Sequence, residues 1–90
     1  MISRSYSHFQ IGTFLENLNR LLKENGFRVV HKAKATESKL PFPKIYVFTV
    51  EGNGEIFRLS VVMDRNGITV VVPKTQNKAL ITQILDSLQE

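Results

Sequence analysis

From Ile11 onward, apolar residues recur every three or four positions. Ile11, Phe14, Leu15, Leu18, Leu21 and Leu22 line one face, while Glu16, Asn17, Asn19, Arg20, Lys23 and Glu24 fill the other. That spacing predicts an amphipathic helix with one buried stripe. Thr13 followed by Glu16 forms a capping-box pattern, which would start the helix a turn after the apolar pattern begins. Asn25-Gly26 ends it, because glycine accepts the left-handed conformation at which many helices stop.

The period then falls to two. FRVVHKAKA (27–35) alternates as a strand, and TESKLPFP (36–43), with two prolines, reads as a loop. KIYVFTVE (44–51) and EIFRLSVVM (55–63) are rich in β-branched and aromatic residues and flank Gly52-Asn53-Gly54. Asn-Gly favours the tight turn of a hairpin, so these are two paired strands. Asp64-Arg65-Asn66-Gly67 repeats the signal before ITVVV (68–72), which Pro73 closes. Leu80, Ile81, Ile84, Leu85 and Leu88 then give a final helical stripe, with Thr75 or Asn77 as its cap.

The turns set registers. With Asn53-Gly54 central, Val50 faces Phe57, Phe48 faces Leu59 and Tyr46 faces Val61. With Asn66-Gly67 central in the second turn, Val61 faces Val72 and Met63 faces Val70. Both registers put the bulky residues on one sheet face, as a single core requires. In the first strand, simple alternation sends Phe27, Val29, His31, Ala33 and Ala35 to the helix side and Arg28, Val30, Lys32 and Lys34 to the open face. Residues 1–8, short and serine-rich, read as a flexible tail on a single domain spanning 1–90. The expected fold is an α+β two-layer sandwich in α-β-β-β-β-α order. A four-stranded antiparallel sheet carries two helices on one face.

Composition narrows the function classes. Apolar residues make up 42% and charged residues 22% of the chain, which fits a folded domain and not a disordered one. No apolar run nears the roughly 20 residues of a membrane-spanning helix, and the polar start MISRSYSH lacks a secretory pattern; a cytoplasmic location is expected. Without cysteine, thiol chemistry and cysteine-built zinc sites are excluded. His8 and His31 have no further ligand at metal spacing, and Asp64, Asp86 and Ser60 form no nucleophile–base set. Neither an enzyme nor a cofactor is expected.

Two surfaces remain as candidates. The net charge of +4 sits entirely between Arg28 and Lys44, where Arg28, Lys32, Lys34, Lys39 and Lys44 face only Glu37; Arg58 extends this set on the open face. Such a concentration is the footprint of a protein that binds nucleic-acid backbones, although lysines on an edge strand also serve solubility. Ile45, Val47, Ile56, Val62 and Val71 make the open face apolar, and monomers seldom leave such a patch bare. Tyr46 and Phe48 fall on the helix side and read as core, not as a base-stacking platform. In the loop KLPFPK (39–44), Leu40 and Phe42 read as anchors folded over the core edge. The leading expectation is a non-enzymatic interaction module, a homodimer or a subunit of a larger assembly. It would use the open face or the edge of the last strand. Nucleic-acid binding through residues 28–44 is the alternative.

Overall fold

The structure, a computed structural model, describes residues 1–7, 10–35 and 43–88. Its elements are β1 (Ile2–Tyr6), α1 (Ile11–Glu24), β2 (Phe27–Lys34), β3 (Lys44–Gly52), β4 (Glu55–Asp64), β5 (Gly67–Val72) and α2 (Lys78–Ser87). The strands form one antiparallel sheet in the order β1-β5-β4-β3-β2, with two helices on one face. The two-layer α+β class therefore stands, but the sheet has five strands where four are expected.

The additional strand is the segment expected to be a tail. Ile2–Tyr6 pairs with β5, Ile2 opposite Val72 and Tyr6 opposite Ile68. Its serines have little strand propensity, and its apolar content is too slight to register as a strand in sequence. Tertiary contacts supply what the pattern lacks. Tyr6 is buried, its ring lies 5.0 Å from that of Phe14, and Arg4 bonds Asp86 of α2 at 2.8 Å. Closing this edge also removes the last strand's edge from the list of contact surfaces, since β5 is hydrogen-bonded on both sides.

The β3–β4 register follows the Asn53-Gly54 turn as expected: Phe48 faces Leu59 and Val50 faces Phe57. Both turn residues have positive φ, 50° and 80°. The β4–β5 register is slipped by two residues from the expected one. Val61 faces Val70 and Met63 faces Ile68, so Arg65-Asn66 are central and Gly67 begins the strand. The Asp64 carboxylate accepts from the Asn66 amide at 2.8 Å, a local bond that holds the turn one residue earlier. Gly67 has φ 131°, and a side chain there would collide with the Tyr6 carbonyl of the neighbouring strand. A slip of two keeps every side chain on its expected face, so the core survives the error.

Phe14, Leu18 and Leu22 of α1 and Ile81, Ile84 and Leu85 of α2 pack on Val50, Leu59, Val61, Val70 and Val72. Helix α1 begins at Ile11 without a side-chain cap, so Thr13 does not start it. It stops at Asn25-Gly26 as expected, with Gly26 at φ 85° and the Asn25 amide group donating to the Leu21 carbonyl at 2.7 Å. A strand residue holds the segment that leads into helix α2. The Glu55 carboxylate accepts from the Gln76 amide (2.6 Å), the Thr75 hydroxyl (2.5 Å) and the Asn77 side-chain amide (2.8 Å). Asn77 holds the N-cap position, but neither it nor Thr75 makes the expected side-chain cap: the Thr75 hydroxyl accepts from the Asn77 amide, one residue before the helix.

Candidate functional sheet face

The five strands present a face that no described helix covers. Alternation along each strand, combined with the observed registers, assigns its rows. One row runs Ala33, Val47, Ser60, Val71 and Ser3 across the whole sheet; the next holds Ile45, Val62, Thr69 and Ser5. Ile45, Val47, Val62 and Val71 therefore lie within two adjacent rows on three adjacent strands. All four are half-buried among their neighbours. Ile45 and Val62 stand directly opposed, about 5 Å apart, while Val47 and Val71 each oppose Ser60 and lie diagonal to Val62. Ser60 lies between Val47 and Val71 within the patch, and the Thr69 and Ser5 hydroxyls, at the end of the second row, are bonded to each other at 3.2 Å.

Ile56 lies apart from this group. It faces Glu51, and the row of Arg58 and Thr49 stands between it and Val47. It is 66% exposed, the most exposed large apolar side chain after Met1 among the described residues. Four of the five expected interface residues are thus brought together, and the fifth stands at the far end of the same face.

The basic residues are divided between faces. A β-bulge lies between Val29 and His31: Val29 faces Val50, His31 faces Thr49 and Lys32 faces Phe48. The added residue, Val30, inverts the alternation for the rest of the strand. Lys32 and Lys34 consequently share the helix-side face with Phe48 and Tyr46, contrary to the expected open-face position. Lys32 Nζ lies 5.6 Å from the Tyr46 ring centroid and 5.9 Å from that of Phe48. His31 and Ala33 move to the open face, where His31 is exposed and not in the core margin. Lys44 faces Met63, on the helix-side row. Arg28 and Arg58 do reach the open face, and Arg28 is bonded to Glu51 at 2.9 Å. Lys39, Leu40, Phe42 and His8 lie outside the described residues. Tyr46 and Phe48 stack on the helix side as expected, with ring centroids 6.4 Å apart.

Among the described residues no group of three or more histidine, aspartate or glutamate side chains is arranged to hold a metal ion. None of their helices is long and apolar enough to cross a membrane.

No protein-family model matches the chain, and no curated protein matches it. Among solved structures, the fold is similar to the crystal structure of an uncharacterized conserved protein, DUF302, from Bacillus stearothermophilus. The TM-score is 0.70 at 18% identity, over 97% of this chain and 93% of that one. The likeness spans nearly the whole of both chains and, at this identity, speaks to the fold alone.

Proposed function

We propose that this chain is a non-enzymatic interaction module that pairs with a second copy of itself through the open face of its sheet. One observation carries the reading: Ile45, Val47, Val62 and Val71 cluster in two adjacent rows on a sheet face that no described element of the chain covers. Stacking two such faces about 10 Å apart would bury both areas, as the inner faces of a sandwich do. A two-fold arrangement sets the same patch of each copy against the other, which a mainly apolar patch permits. The division of Arg28, Lys32, Lys34, Lys44 and Arg58 between two faces makes this reading stronger than the polyanion alternative.

Sedimentation equilibrium of the wild type and of the double variant Val47→Asp, Val62→Asp tests it. The wild type should sediment as a dimer of the 10.3 kDa chain, and the double variant as a folded monomer. A monomeric wild type, or a dimer indifferent to both substitutions, would remove the reading. Charge reversal at Arg58 with titration of mixed-sequence RNA provides the contrasting arm. Salt-sensitive RNA binding that this reversal abolishes would favour a nucleic-acid role.

A further inference from the structure

On the opposite side of the sheet, a groove of about 540 Å³ lies between α1 and β2. Its floor is apolar, built by Leu15, Leu18 and Leu22 of α1 with Val29 and Phe48 from the sheet. Lys23 and Lys32 also line it, against Glu16 as the one acidic lining residue; Arg28 touches it from the edge strand, but its guanidinium pairs with Glu51 of the open-face row. Lys23 and Lys32 form no ion pair among the described residues. The bulge at Val30 is what brings Lys32 to this side, and bulges are commonly found where a strand re-aims a side chain at a site. Here a cation replaces an apolar residue beside an apolar floor, and two aromatic rings hold its ammonium in place.

From this geometry we infer a binding site for a small amphipathic anion, an aliphatic carboxylate whose chain lies on the leucine floor and whose head meets Lys32, with Lys23 as the second cation. The groove volume falls within the roughly 300–1,000 Å³ of small-molecule sites. The charge of the rim selects the anion: an uncharged chain would gain the floor and forgo the charge-assisted bond. This site is separate from the open face and does not rest on its pairing.

Octanoate titrated into the isotope-labelled full chain, with octanol in parallel, is the test. Octanoate should shift amides of α1 and of Val29, Lys32 and Phe48, and octanol should bind about tenfold more weakly, the worth of one charge-assisted hydrogen bond. Lys32→Gln should weaken octanoate binding by about the same factor and leave octanol unchanged, while Lys32→Arg and the distant Lys74→Gln retain affinity. The inference is overturned if millimolar octanoate leaves the groove amides unmoved. Equal affinity for the two probes, or indifference to Lys32→Gln, overturns it as well.

Discussion

The Tyr6 hydroxyl donates to the Leu85 carbonyl at 2.6 Å, joining the first strand to the last helix across 79 positions of sequence. Burial raises the Tyr6 phenol from its ordinary value of 10.0 to about 12; the nearby Asp86 carboxylate adds to the rise and Arg4 opposes it. Tyr6→Phe should therefore cost about 1 kcal/mol, more if the Leu85 carbonyl finds no water. In a domain of this size that lowers Tm by roughly 4–8 °C, readable by thermal unfolding. The folded pKa lies above the unfolded one, so this stability is complete below pH 10.0 and is lost as pH rises toward about 12. In a Tyr46→Phe background, phenolate absorbance should appear near pH 12. Appearance near pH 10 would mean that the hydroxyl is free.

Glu55 ties the β3–β4 hairpin to the start of α2. Desolvation pushes its carboxyl upward, but the bonds from Thr75, Gln76 and Asn77 outweigh this and leave it below its usual value of 4.5. A depressed folded pKa contributes stability above the unfolded value, and that contribution disappears as pH falls through the folded one. Glu55→Gln should then destabilise the domain by at most about 1 kcal/mol at neutral pH, the net worth of one hydrogen bond for a carboxylate screened by solvent. In urea unfolding, its difference from the wild type should shrink as pH falls below 4.5. A difference that stays constant across that range would show that the charge of Glu55 plays no part.

The register after Val30, with Lys32 opposite Phe48 and Lys34 opposite Tyr46, determines where the β2 lysines point. Two residues, Val30 and His31, oppose Thr49 alone, so deleting Val30 leaves Val29 opposite Val50 and Lys32 opposite Phe48. The deletion variant should fold, and its Lys32 side-chain protons should keep their upfield ring-current shifts and their NOEs to Tyr46 and Phe48. Loss of those contacts on deletion would mean that the lysine owes its position to something other than this register.

The sequence makes much of this molecule legible where signals are strong and local. The two helical stripes, the Asn53-Gly54 turn and its register all follow from side-chain period and turn chemistry. Three features escape because they depend on contacts distant in sequence or on one extra residue. β1 is a strand because Tyr6 reaches Phe14 and Leu85 and because β5 offers an edge, and its serines announce none of this. The second turn shifts because Asp64 bonds Asn66, a choice that Asn66-Gly67 alone does not reveal. A bulge leaves an alternating pattern that still reads as regular, so every residue after Val30 is assigned to the wrong face. The apolar area of Ile45, Val47, Val62 and Val71 lies on strands without bulges, which is why its face could be read correctly.

The central claim, that the open face pairs with a second copy of itself, is tested most directly by isotope-filtered NOE spectroscopy on an equimolar mixture of labelled and unlabelled chains. Sheet-to-sheet pairing predicts intermolecular NOEs among the methyl groups of Ile45, Val47, Val62 and Val71. Monomer tumbling with no intermolecular NOE at these methyls would contradict it, as would NOEs confined to the exposed edges of β1 and β2.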